Sequence, residues 1–429
     1  MTPIGPKSAL CLAVTWLLLA GNPALTQTNA AAAQDHLRAA GQAYRDGDFA
    51  GFTTSLETAV ALNPFSLPSQ YNLACGYART GREEEALAIL GSLVAARVDF
   101  GMAADQDLAS LHGNPQFDRL VSELDANLQP VRASEHRFTL DQLGLIPEGI
   151  AHDSQTGRIF FGSMRTGDVY VIDGNEQLSK FSTVHHDGKL AAIGMSVDQP
   201  NNILWVVGSS SFLVEEFDEE APSRDGVFGF DLDSGDLVKK YIADESIENF
   251  NDVVVGVNGE LYVSGSALSV IRSGSGKIEP IDTSLPIFGS NGIAVRPDGR
   301  RIFVSSYPVG IAAVNPDTGE SQWLAAPDNI SLYGIDGLYW YESDLIGVQN
   351  GVRPWRLLRM QLNEEQTAVT DVRLIEFANA DVTATTGAIV GDVIHYVGQG
   401  PEPNSVPSHF PEAIAKFAGK IVVMTAPLN

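Results

Sequence analysis

A six-bladed β-propeller preceded by a small all-α domain is the fold the sequence predicts, and three observations carry that prediction. From Asp35 to about Leu128 the chain is rich in Ala and Leu and repeats with a period of 34 residues. After Pro130 helical periodicity gives way to short strands rich in Val, Ile, Tyr and Phe, punctuated by Gly, Asp, Asn and Pro. A single motif recurs six times in this β-rich region: a polar residue, usually Gly, an apolar residue, a turn, and an apolar strand ending in small residues. The domain plan is residues 1–33, 34–130 and 131–429.

Residues 1–33 read as a secretory leader. One positive charge in Met1–Lys7 precedes the apolar run Ala9–Ala20, and a small-residue stretch reaching Ala33 places cleavage between residues 24 and 34. The run is shorter than the roughly 20 apolar residues a spanning helix needs, so no membrane insertion is expected after cleavage. The expected location is exported, periplasmic or secreted, with Cys75 as the one thiol of the mature chain. Composition narrows the partners. With 44% hydrophobic and only 19% charged residues the chain packs a core, and a net charge of −26 repels nucleic acid and anionic lipid while favouring cations.

Along the helical region, Ala40, Gly47, Phe52, Ala59 and Pro64 return 34 residues later as Ala74, Gly81, Ala86, Leu93 and Val98. The second copy, YNLACGYARTGREEEALAIL, resembles the tetratricopeptide repeat, and Asp107–Leu124 resembles the helix that caps such arrays. Two repeats serve either as a groove for a protein partner or as a unit that only packs against the β-rich region. Because the helical and β periods cannot share one packing pattern, two separate cores are expected, divided near Leu128–Ser134.

The six β copies, aligned on Ile150, Met195, Val253, Ile293, Leu338 and Ala388, step by 45, 58, 40, 45 and 50 residues, enough for four strands each. The longest step holds an acidic loop, Ser211–Gly226, expected to project from one face. Lys420–Thr425 is expected to close the ring against His136–Leu140. The start of an inner strand faces the channel of a propeller, so the first motif positions form a ring: Glu148, Ile193, Asn251, Asn291, Asp336 and Thr386. Asn and Asp are also turn residues. Hard oxygen donors converging from separate blades are what Ca²⁺ requires.

Residues 131–429 resemble the superfamily of gluconolactonase, regucalcin (senescence marker protein) and luciferin-regenerating enzyme. The motifs that carry the likeness are Pro147-Glu148-Gly149, Asn251-Asp252, Asn291 to Gly299 (NGIAVRPDG) and Asp336 to Leu338. The resemblance implies that Glu148, Asn251, Asn291 and Asp336 hold one divalent ion at the channel mouth, Ca²⁺ or another divalent metal. It implies a metal-dependent hydrolase of a lactone or related ester with a small-molecule substrate. Asp336 is then the general base or nucleophile, and Arg165, Tyr307 and Gln349 are candidates to line the substrate pocket. Sugar-lactone members carry Arg where this chain has Asn249, and paraoxonase-like members use a second-blade His where it has Ile193, which leaves the substrate open. The rival is a non-catalytic module in which calcium rivets the channel and the surfaces bind a protein or small molecule.

Overall fold

The computed structural model describes residues 23–218, 224–244, 247–379, 382–399 and 420–429, so most of the expected leader lies outside the described residues. Five helices come first: α1 (Pro23–Arg45), α2 (Phe49–Leu62), α3 (Leu67–Arg79), α4 (Glu83–Ala95) and α5 (Pro115–Asn127), with a 3₁₀ turn at Gln106–Leu111. Local chemistry sets their starts. Asp48, Ser66 and Asn114 accept the first free N–H groups of α2, α3 and α5, and Glu83, Glu84 and Glu85 complement the dipole at the start of α4. The repeating glycines turn the chain between paired helices at equivalent points: Gly47 and Gly81 have φ of 73° and 76°. Among the described residues no helix is long and apolar enough to cross a membrane.

Six sheets come next, each a blade. Their inner strands are Pro147–His152, Ala191–Asp198, Val253–Val255, Ser290–Val295, Ile335–Tyr341 and Thr383–Val390. The last blade is closed by both ends of the β region: Glu135–Leu143 pairs with Lys420–Pro427, Phe138 opposite Val423 and Leu140 opposite Ile421. That closure is the one expected from sequence: Lys420–Pro427 is paired on both sides, and Glu135–Leu143 forms the outer edge of the blade. The apolar core is divided among the blade interfaces. Phe160 and Val169 of blade one meet Leu204 and Phe228 of blade two, and each later pair of neighbours has its own buried cluster. The circle ends where Phe161 of blade one shares a cluster with Val397 and Val423 of blade six.

The helical unit has its own apolar clusters, and one of them takes in a residue of the propeller. Val352, from the loop between the second and third strands of blade five, is 1% exposed and belongs to the same apolar cluster as Leu90 and Phe117. Buried Arg356 donates to the carbonyls of Ala96 (3.1 Å) and Arg97 (3.0 Å) just beyond α4. This placement satisfies helix-end carbonyls that have no partner within the helix. The linker strand Val131–Arg132 adds to the outer edge of the same blade. The boundary expected near Leu128 thus lies between two units in contact, with one propeller side chain, Val352, joining the helical cluster. Within the acidic loop Leu213 and Val214 are buried, Leu213 clustered against Ile146 and Met164, while Phe212, Glu215 and Glu216 are exposed.

Candidate metal centre at the channel mouth

A backbone device repeated in every blade builds the centre. Near the start of each inner strand two residues stand opposite one on the second strand, forming a β-bulge. In blade three the same arrangement is made by Ser264, which accepts from the N–H of Asn251 (2.9 Å) and donates to the carbonyl of Asp252 (3.0 Å). A bulge re-aims side chains at the head of a strand. Its first residues are Glu148, Ile193, Asn251, Asn291, Asp336 and Ala384, and its second are Gly149, Gly194, Asp252, Gly292, Gly337 and Thr385. The first residues match the sequence-derived ring in five blades. In blade six the bulge lies two residues before the Thr386-Gly387 pair. Thr386 is instead paired with Val397 inside the regular ladder, so its place in the ring is corrected to Ala384.

The second bulge position lies against the next blade, which explains its glycines. A Cβ on Gly149 would stand 2.0 Å from the Ile193 carbonyl oxygen, one on Gly194 2.4 Å from the Cα of Asp252, and one on Gly292 2.3 Å from the amide nitrogen of Leu338. Blade three departs from the pattern. Asp252 takes the place of glycine, and its carboxylate accepts from its neighbour Val253 (2.8 Å) and from the N–H of Ile293 in blade four.

Three carboxyl groups thus meet around the channel: Glu148, Asp252 and Asp336. Burial, followed by the charges of Asp336 and Asp252, pushes Glu148 well up, while the Thr385 hydroxyl opposes the shift without forming a well-aligned hydrogen bond. Burial also raises Asp336, against the amides of Asn350 and Asn291, which favour its ionised form. Asp252 rises to about 7, again mainly by burial, with its two N–H partners opposing and Asp336 adding. Tyr339 stands in the same field. Its phenol is pushed well up by burial and by Asp252, and its oxygen accepts from Gly387 N–H at 2.5 Å. Among the described residues no cationic side chain is among the groups acting on the three carboxyls. Asp336 is 9% exposed, whereas Glu148, Asn251, Asp252 and Asn291 keep partial exposure.

The other predicted residues fall at different depths. Tyr307 donates to Asn350 Oδ1 (3.0 Å), and Asn350 Nδ2 donates to Asp336 Oδ2 (2.6 Å), so Tyr307 stands one residue behind the ring. Gln349 is 1% exposed, and its amide is spent on the carbonyls of Ser331 (2.8 Å) and Tyr333 (2.7 Å). Arg165 pairs with Glu215 of the loop after blade two's second strand. Asn251 is held through its backbone, its carbonyl accepting from Gly194 N–H at 2.9 Å. Asn249, at the place where sugar-lactone members carry Arg, has φ of 57°, a conformation Asn tolerates readily.

Asp252 enters the sequence reasoning as half of a motif and not as a member of the centre. The available signal is an acid standing where other copies have glycine. Asn350 and Tyr339 carry no such signal, because their approach to Asp336 depends on a turn and on strand register.

Donor chemistry decides whether a divalent cation fits. Uncompensated carboxyls beside two carboxamides form a hard oxygen set that a cation would neutralise. A second cluster fits less well. Cys75, Asp105 and Asp107 have donor atoms within 4.8 Å of one another, but Asp105 already accepts from Tyr71 (2.7 Å) and Asp107 from Tyr44 (2.8 Å). Burial raises the Cys75 thiol, which disfavours the thiolate a metal needs. A cavity of about 340 Å³ also lies between the helices and the propeller, lined by Leu37, Phe52, Leu56, Pro308 and Tyr333 among others.

No protein-family model matches the chain, and no curated protein matches it. Solved structures do. A luciferin-regenerating enzyme aligns at 14% identity and a TM-score of 0.48, over 70% of this chain and 96% of its own. The calcium-binding protein regucalcin from Agrobacterium tumefaciens aligns at 14% identity and 0.45, over 67% and 93%. A gluconolactonase from Xanthomonas campestris aligns at 12% and 0.46, over 69% and 95%.

Proposed function

We propose that this chain is an exported, calcium-dependent hydrolase acting on a lactone or related ester. The observation that carries the reading is the trio of channel carboxyls, Glu148, Asp252 and Asp336, with no cationic side chain to balance them among the described residues. Buried like charges are costly, and sites that tolerate them are commonly functional. In this reading Glu148, Asn251, Asn291 and Asp336 hold the ion. When bound, the cation supplies Lewis acidity toward a carbonyl oxygen and makes water more acidic. Asp336 takes the proton from the attacking water at its carboxylate, a role its upward-shifted pKa suits. Asn350 fixes one oxygen of that carboxylate, Oδ2. The mouth excludes bulk water incompletely, consistent with the exposure kept by Glu148 and Asn291.

Export rests on the short apolar run Ala9–Ala20 and the small residues after it. A protein partner for the helical repeats is the secondary proposal, with the cavity between α1–α3 and the Pro308 and Tyr333 loops as its place. The test combines metal analysis of the full-length mature chain with a screen of lactone, aryl ester and phosphotriester hydrolysis. Activity that is lost on chelation and regained with Ca²⁺ supports the hydrolase. A chelated protein that hydrolyses equally fast refutes metal catalysis. No turnover, combined with a lower melting temperature on chelation, selects the non-catalytic module.

A further inference from the structure

One short loop touches both the centre and the helical unit. At its start Asn350 donates to Asp336 Oδ2 (2.6 Å) and to the Ala384 carbonyl of blade six (3.3 Å), and accepts from Tyr307 at 3.0 Å. The Tyr307 hydroxyl thereby fixes which end of the Asn350 amide faces Asp336. Gly351 is next. Its N–H donates to Gly334 (3.0 Å), and a Cβ there would stand 2.9 Å from Tyr307, so the loop lies tight against that ring. Val352 is then buried in the helical core. The Arg353 carbonyl accepts from Asp99 N–H at 2.8 Å, and Arg356 binds the carbonyls of Ala96 and Arg97. Tyr333, packed on the helical core, lies 6.3 Å from Tyr307 ring to ring.

We propose that residues 350–356 form a positioning strap through which the docked helical unit holds Asp336 in its cation-binding orientation, with Asn350 and Tyr307 as the positioning residues. The physical basis is contiguity. A hydrogen-bonded carboxylate has few orientations, and each partner here is fixed by the next, from Tyr307 to Asn350 to Asp336. The far end is anchored in another unit by a buried side chain and a buried guanidinium. Loosening that anchor frees the loop, and the amide that orients Asp336 moves with it. The helical repeats would then belong to the centre through this strap. This inference rests on reading Asp336 as a cation ligand, so the test separates the two claims.

The full-length chain is compared with Arg356→Met, with Tyr307→Phe, and with Ile271→Ala, a buried position in blade three that serves as a stability control. Two quantities are read: Ca²⁺ affinity by calorimetry, and amide hydrogen exchange of segments 335–338 and 349–351. Arg356→Met is expected to weaken Ca²⁺ binding about tenfold and to speed exchange in both segments. Ile271→Ala is expected to lower the melting temperature without either effect. If Arg356→Met does not fold, Tyr307→Phe decides by the loss of one hydroxyl. Weaker binding at an unchanged melting temperature supports the strap, and wild-type affinity overturns it. Equal effects of Arg356→Met and Ile271→Ala also overturn it. If the wild-type chain binds no Ca²⁺, the metal reading falls and exchange alone decides: faster exchange in Arg356→Met keeps the strap, unchanged exchange removes it.

Discussion

Replacing Asp252 by Asn removes one negative charge from the channel while keeping an oxygen for the Val253 and Ile293 N–H groups. Burial is the main reason the Asp252 carboxyl rises from 3.8 to about 7, with Asp336 adding to it. A raised acid pKa means that the folded protein holds a proton the unfolded chain has already released. Stability therefore falls as pH rises from about 4 to about 7 and stays low above that. The displacement corresponds to a ceiling of about 4 kcal/mol at pH 8. Partial exposure of the residue reduces this to about 2 kcal/mol. Urea unfolding of the chelator-stripped chain at pH 8 should thus show Asp252→Asn more stable than wild type by that amount, with the advantage fading toward pH 4. Saturating Ca²⁺ should shrink or reverse the advantage, because the cation stabilises the fully charged centre more. An Asn variant no more stable than wild type in chelator, or an advantage that persists at pH 4, would refute the uncompensated-carboxyl reading.

Three further outcomes are expected. His395, whose ring lies 5.4 Å from that of His152, is lowered to about 4 by burial and then by the charges of His152 and Arg137. Its stabilising contribution should be complete above pH 6.5 and lost as pH falls through about 4. In pH-dependent unfolding, His395→Phe should flatten that acid limb by about 2 kcal/mol after allowance for exposure, and parallel curves would count against it. Gly194→Ala pushes a methyl group to 2.4 Å from the Cα of Asp252 and should cost about 1–3 kcal/mol in thermal unfolding, where no loss would show the bulge contact to be soft. Mass spectrometry of the exported protein should find an N-terminus between Leu25 and Gln34, and Met1 still attached would remove the leader reading.

Much of the fold was legible because period and closure are one-dimensional signals. The 34-residue helical period, the six motif copies and the pairing of Lys420–Thr425 with the first long β strand all come from spacing and apolar pattern. The ring was legible in five blades because Glu148, Ile193, Asn251, Asn291 and Asp336 precede a residue that closely approaches the next blade, usually glycine. It failed in blade six for the same reason. Thr386-Gly387 copies the pattern, yet Gly387 accommodates Ile394 and donates to Tyr339, while the bulge lies at Ala384 and Thr385. Gln349 looked like a pocket residue because it ends a strand near the mouth, but the Ser331 and Tyr333 carbonyls that engage it come from a loop whose path the sequence does not announce. The burial of Val352 in the helical core was hidden likewise, since contacts between residues hundreds of positions apart leave no periodic trace.

Calcium titration of the chelator-stripped, full-length chain by calorimetry, run beside Glu148→Gln, bears most directly on the centre. Expected is one saturable site in the wild-type chain, weakened at least about tenfold when the Glu148 charge is removed. An absence of saturable binding, or an identical isotherm for Glu148→Gln, would contradict a cation held by the channel carboxyls.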